Sequence, residues 1–178
     1  MLIAGLPLHP IAVHLPVALA ALMPLFVAAA WYAWRRNLLP HQIWVAVAAL
    51  QIILVASGVV AFKTGEQEEE RVEDYVAESR IEEHEEHAEA FLWAASVVAL
   101  IAVGGALVKG DKLKSQLMGL SFVGTLAVAG FAMWTGHAGG ELVYKYNAGK
   151  AYAPNQSGQR SEQSSDHPES EHPADEDD

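Results

Sequence analysis

The feature that most constrains this chain is a set of four long apolar stretches that contain no Asp, Glu, Lys or Arg. They are residues 11–34, 43–62, 90–108 and 117–134. A helix needs about 17–25 mostly apolar residues to cross a bilayer. Four such helices in a chain of 178 residues would leave too little protein to bury them in water. The pattern therefore predicts an all-α fold, an integral membrane four-helix bundle with interfacial Trp and Tyr near the ends of its spans.

The rest of the chain is strongly polar, so the mean hydropathy is only +0.16. Residues 63–89 hold twelve Asp or Glu against three Lys or Arg, and residues 162–178 hold eight more acids. We predict a four-helix transmembrane domain over residues 1–150 and a disordered acidic tail over residues 151–178, because the tail has no apolar periodicity. The acidic segment between the second and third spans is rich in helix formers, which predicts an acidic helix or hairpin over the outer face.

The distribution of basic residues predicts the orientation. The short loops 35–42 and 109–116 carry five Lys or Arg and one acid. The positive-inside rule therefore puts both loops in the cytoplasm, and both termini and residues 63–89 on the extracytoplasmic side. We expect no cleavable signal peptide, because the first residues carry no basic n-region.

Composition and motifs exclude several classes of function. A formal net charge of −11 argues against a nucleic-acid partner. The chain has no cysteine, which excludes disulfides, iron–sulfur clusters and covalently attached c-type haem. The string HEEH at 84–87 differs from the zinc-protease motif in its spacing. We identify no catalytic residue, and an electron carrier or binding protein fits the sequence better than a self-contained enzyme.

Five of the eight histidines fall at one membrane surface of the predicted topology. They stand at the start of the first helix, the start of the third and the end of the fourth: His9, His14, His84, His87 and His137. Ionisable residues that converge at the edge of a membrane bundle indicate a functional site.

Imidazoles without a thiolate suit haem iron, copper, zinc or non-haem iron. The first hypothesis is a membrane electron-transfer protein that binds b-type haem near the outer surface. Its axial ligands would be His14 with His137, or His9 with His84. The alternatives are a binding or transport site for Cu, Zn or Fe, or an unliganded membrane scaffold subunit. The metal site would use the five histidines together with nearby carboxylates, of which Glu85 and Glu141 are the principal candidates, beside Glu66 and Glu83.

The acidic segment also suggests a partner. A surface of one charge sign steers oppositely charged proteins toward it. If the chain carries electrons, we expect a basic soluble c-type cytochrome or another redox subunit to dock there. The other interpretation is that the charge only keeps the segment solvated.

Several motifs resemble those of a bacterial membrane family, the domain-of-unknown-function 2231 family. The opening stretch 6–16 (LPLHPIAVHLP) is similar to the family's first signature, and 64–66 (TGE), 83–85 (EHE) and 136–144 (GHAGGELVY) resemble later ones. The resemblance covers roughly residues 5–150. It implies a multi-pass protein of the bacterial inner (cytoplasmic) membrane and carries the family's recurring histidines over to His9, His14, His84 and His137. It implies no established activity.

Overall fold

The computed structural model describes residues 2–3 and 6–152. Within these ranges the chain is almost entirely helical. Two strands of two residues each form an antiparallel pair before the first helix. The elements are β1 (Leu2–Ile3), β2 (Leu6–Pro7), α1 (Leu8–Ala12), α2 (His14–Arg35), α3 (Ile43–Val72), α4 (Glu78–Leu107) and α5 (Asp111–Tyr144), followed by a short 3-10 helix, Ala148–Tyr152.

The predicted set of four membrane-spanning helices is confirmed at the level of length and composition. Four helical segments are long and apolar enough to cross a membrane: Leu8–Arg35, which joins α1 and α2, and then α3, α4 and α5. Large apolar side chains cover the outside of the bundle; Leu25 is 70% exposed and Leu100 is 72% exposed. Exposed apolar surface on this scale is typical of contact with lipid.

The four long helices form a closed bundle, because α2 packs on α3, α3 on α4, α4 on α5, and α5 back on α2. Its core combines small and large side chains, and Ala20, Trp44, Ala95 and Met118 have no exposed surface. Small residues also bring the helices close together. A Cβ atom added at Gly124 on α5 would lie 2.5 Å from a methyl carbon of Val98 on α4.

The two ends of the bundle differ in chemistry. The connections between α2 and α3 and between α4 and α5 lie at one end, which we call the basic end (residues 35–43 and 107–114). The opposite end brings together α1, the end of α3, the start of α4 and the end of α5. We call it the histidine end (residues 8–14, 61–87 and 131–152).

The acidic segment is not a separate helix. Helix α3 continues to Val72 and α4 begins at Glu78, so only residues 73–77 separate them. Of the two predicted forms, an acidic helix or a hairpin, the structure has a helical hairpin, formed by the end of α3 and the start of α4. The physical reason is that Glu, Gln and Arg are good helix formers and no proline interrupts them, so both apolar helices extend into the polar sequence. The predicted disordered tail lies outside the described residues from position 153 onward.

Candidate functional site

Two of the predicted site histidines come into contact at the histidine end. The ring centroids of His9, in α1, and His84, in α4, lie 6.2 Å apart with their planes at 83°. Both side chains are partly buried. Of the two axial pairs that the sequence suggested, His9 with His84 is therefore the one whose rings the structure brings together.

A backbone carbonyl fixes the orientation of His9. Its Nδ1 lies 2.8 Å from the carbonyl oxygen of Ala61, which accepts hydrogen bonds and cannot donate them, so Nδ1 carries the hydrogen. The Thr64 hydroxyl donates to the same carbonyl at 2.7 Å. In the neutral ring, Nε2 of His9 is then left with the lone pair. Histidines that ligate a metal are commonly oriented in this way, through a hydrogen bond from the nitrogen that does not bind.

A buried carboxylate holds the backbone that carries His9. Glu68 is 8% exposed, and its Oε1 accepts hydrogen bonds from the backbone N–H groups of Leu8, at 2.7 Å, and His9, at 3.3 Å. The first N–H groups of a helix have no partner within it, and a carboxylate also interacts favourably with the helix dipole there. Glu68 therefore fixes the start of α1 against α3.

The second oxygen of Glu68 accepts a hydrogen bond of 2.8 Å from the Tyr152 hydroxyl. Burial raises the pKa of Tyr152 above its ordinary value, and the hydrogen bond to Glu68 raises it further. Glu68 thus joins three parts of the chain: α1, α3 and the final 3-10 helix.

Sequence reasoning missed Glu68, because it is one of twelve acids in its segment. A signal was present in the spacing. Ala61, Thr64 and Glu68 follow one another at intervals of three and four residues, which places them on one face of α3, and all three are buried.

Glycines border both histidine rings. A Cβ atom added at Gly65 would lie 3.3 Å from the His9 ring, and one added at Gly139 would lie 3.0 Å from Cε1 of His84. Gly139 belongs to the 136–144 motif. Because glycine has no side chain, the backbone of α5 can lie against the His84 ring at this position. The two imidazoles therefore pack directly against the backbones of α3 and α5.

His87 lies one turn beyond His84 and packs against Trp134 of α5, with ring centroids 4.1 Å apart and ring planes tilted by 32°. The hydroxyl of Thr135 donates to the backbone carbonyl of His87 at 3.0 Å. The Nδ1 atoms of His84 and His87 are both buried and have no hydrogen-bond partner among the described residues. A buried polar atom without a partner is costly in free energy and calls for an explanation.

The other predicted ligands lie apart from this pair. His14 is exposed, and its Nδ1 lies 3.3 Å from the carbonyl oxygen of Ile11 in the same segment. The side chain of His137 is 76% exposed, with Nε2 3.9 Å from Oε1 of Glu141, and the same oxygen accepts a hydrogen bond of 3.1 Å from Lys145. His14 and His137 thus occupy outward positions on α2 and α5, and their pairing as axial ligands stays a prediction.

In the part of the chain that the structure describes, no group of three or more His, Asp or Glu side chains is positioned to hold a metal ion. The proposed metal ligands His9, His14, His84, His87, His137, Glu85 and Glu141 are therefore not gathered into one preformed set. The arrangement that does exist is a pair of imidazoles, His9 and His84, in which a hydrogen bond to Ala61 fixes the tautomer of His9. Its donor set, two imidazole nitrogens without a thiolate, is one that suits haem iron.

Comparison with known proteins places the chain in a family. No curated protein and no solved structure matches it significantly. The sequence profile described as predicted membrane protein DUF2231 matches residues 5–151, which include all four long helices and the five histidines of the histidine end. The chain therefore belongs to the DUF2231 family of predicted membrane proteins.

Proposed function

We propose that this chain is a membrane electron-transfer protein that binds b-type haem through His9 and His84. The observation that supports the proposal is the contact of these two imidazoles across α1 and α4, at 6.2 Å between centroids. His9 and His84, from two different helices, would together hold the haem iron. Two histidines would be enough for this group, because one or two protein side chains can hold a haem iron.

Neighbouring residues of the chain orient His9 and leave space around the rings of both histidines. The Ala61 carbonyl accepts the Nδ1 hydrogen of His9, which would leave Nε2 as the ligand atom. Glu68 anchors the backbone of His9, so the ring is fixed from both sides. The glycines at 65 and 139 keep other side chains away from the rings. Bound haem iron would supply a one-electron couple between its ferric and ferrous states.

The visible absorption spectrum of the purified protein in detergent tests the proposal. We expect the sharp reduced-state band of b-type haem, and its loss in His9→Ala and in His84→Ala. Gly139→Ala should weaken or shift the band, because the added methyl group crowds the His84 ring. Gly136→Ala is the matched control, since nothing lies within 4 Å of its added Cβ atom.

Two results would contradict the proposal. One is a correctly folded protein that shows no haem band after expression with haem supplied. The other is a band that survives in His9→Ala and His84→Ala but disappears in His14→Ala or His137→Ala. A further control is His41→Ala, because His41 lies at the basic end and should not affect the spectrum.

A transition-metal site is the second candidate, and one observation favours it. The buried Nδ1 atoms of His84 and His87 have no partner within the described residues, and a Cu, Zn or Fe ion would give them one. Elemental analysis of the same preparation separates the candidates. A stoichiometric metal without a haem spectrum, lost in His87→Ala, would favour this function. A protein with neither group would favour the scaffold subunit.

We further propose that the histidine end faces the extracytoplasmic side and receives a basic redox partner. The five Lys or Arg residues of the two connecting loops support this orientation. The proposal of a basic partner is supported by the exposed acids of the α3–α4 hairpin, which are Glu70, Glu73, Asp74, Glu78, Glu82 and Glu86. Such a surface would attract a soluble c-type cytochrome with a basic rim.

A further inference from the structure

A cavity of about 510 Å³ lies at the basic end of the bundle, far along the helices from the histidine pair. It is open to its surroundings and is lined by the end of α2, the following loop, the end of α4 and the start of α5. Polar and charged side chains line one part of it: Asn37, His41, Lys109, Asp111 and Lys114. Apolar side chains line the rest, so the cavity is amphipathic.

Lys114 is the unusual member of this lining. It is only 4% exposed, and no salt bridge or hydrogen bond joins its side-chain nitrogen to any residue between positions 6 and 152. The methylene stem of a lysine can lie buried between helices while its ammonium group reaches polar surroundings. Lys114 therefore brings to the cavity that it lines a positive charge that no salt bridge among residues 6–152 neutralises.

The start of α5 adds a second attraction for an anion. The helix begins at Asp111 after Gly110, and no side chain caps its first turn. The first backbone hydrogen bond of the helix runs from the N–H of Lys114 to the carbonyl of Gly110. The N–H groups of residues 111–113 are thus free, and the positive end of the helix dipole favours a negative group beside them. The carboxylate of Asp111 opposes this effect, whereas Lys109 reinforces it.

The apolar part of the cavity indicates what carries the anion. Trp34, Leu39 and Leu107 line it, and Leu107 is 76% exposed on the outside of the bundle. The cavity lies where the apolar helices end, which is the depth of lipid headgroups. Basic pockets between membrane helices at this depth suit phosphate-bearing headgroups. We propose that this cavity binds the phosphate of an anionic phospholipid, with Lys114 as its principal cationic contact.

Lipid titration of the purified full-length protein in detergent tests the proposal. Phosphatidylglycerol should raise the melting temperature and remain bound in native mass spectra, whereas phosphatidylcholine should do so far more weakly. Lys114→Gln should weaken phosphatidylglycerol binding about tenfold, since one charge-assisted hydrogen bond is lost. Lys112→Gln is the matched control: Lys112 is exposed in the same helical turn and does not line the cavity.

A second variant keeps the test valid if Lys114→Gln does not fold. Asp111→Asn removes the carboxylate from the cavity and should tighten phosphatidylglycerol binding. The proposal is overturned if the two lipids bind equally, if Lys112→Gln and Lys114→Gln have the same effect, or if Asp111→Asn weakens binding. Inorganic phosphate that raises the melting temperature as much as phosphatidylglycerol would show a free-anion site and overturn the lipid assignment. None of these outcomes depends on haem at the histidine end.

Discussion

Tyr152 and Glu68 form a contact whose pH dependence can be stated in advance. The folded protein holds the Tyr152 proton more tightly than the unfolded chain does, because burial and the Glu68 carboxylate raise its pKa. The resulting stabilisation is therefore complete below pH about 10, the ordinary value for tyrosine, and is lost as the pH rises above it. Tyr152→Phe should lower the stability at pH 8 by about 1 kcal/mol and reduce its further loss at alkaline pH.

Melting temperatures measured between pH 8 and 11 provide the check. Tyr144→Phe serves as the control, because Tyr144 is 90% exposed and should change neither the value at pH 8 nor the slope. If the melting temperatures of the wild type and Tyr152→Phe fall in parallel as the pH rises, deprotonation of the Tyr152 hydroxyl does not affect the stability, and the prediction is wrong.

The histidine pair and Glu68 show how far single residues could be predicted. The sequence predicted that His9 and His84 lie at the same end of the bundle, because the order of the helices puts both there, but it could not select this pair from the five histidines. Glu68 did not follow from it. Its partners at Leu8 and Tyr152 are 60 and 84 residues away in sequence, and no local feature distinguishes it from the eleven other acids of its segment.

At the scale of elements, hydropathy located the four helices but not their ends. An apolar stretch marks only the part of a helix that lipid or core surrounds. Helix α3 extends ten residues beyond the predicted span, from position 62 to Val72, since polar helix formers continue it. The extension matters for the site, because Thr64, Gly65 and Glu68 all lie on it.

The crossing of α4 and α5 depends on small residues, and Gly124 provides the sharpest test. Gly124→Ala would place its Cβ atom 2.5 Å from Val98, so the two helices must separate or the valine must move. We expect a loss of about 1–3 kcal/mol in stability, as for other overpacked sites. Gly130→Ala on the same helix meets nothing within 4 Å and should be neutral or slightly stabilising. Thermal unfolding in one detergent compares the two, and equal melting temperatures would contradict the tight crossing.

At the scale of the whole molecule, the bundle has a basic end and an acidic, histidine-bearing end, and the membrane orientation can be read by cysteine labelling. The chain has no cysteine of its own, so single substitutions are unambiguous. In intact cells an impermeant maleimide should label Asp74→Cys, on the hairpin turn, and should label Leu38→Cys only after permeabilisation. The reverse pattern would overturn the proposed orientation but would leave the His9–His84 pair as it is.

The charge at the histidine end leads to a prediction about electron transfer itself. Glu82 and Glu86 are exposed on the same early turns of α4 that carry His84, so a basic partner drawn to them arrives beside the proposed haem. Exposed charges are largely screened beyond about 10 Å at 0.1 M ionic strength. The rate of electron exchange with a basic c-type cytochrome should therefore fall several-fold as salt rises from low to physiological concentration.

Replacing Glu82 and Glu86 with Gln should lower the rate at low salt and make it less dependent on salt. Lys112→Gln, at the opposite end of the bundle, should leave both the rate and its salt dependence unchanged. Stopped-flow absorbance of the cytochrome measures the rate, and a rate insensitive to salt and to the Glu82 and Glu86 substitutions would leave the hairpin charges with a solvating role alone.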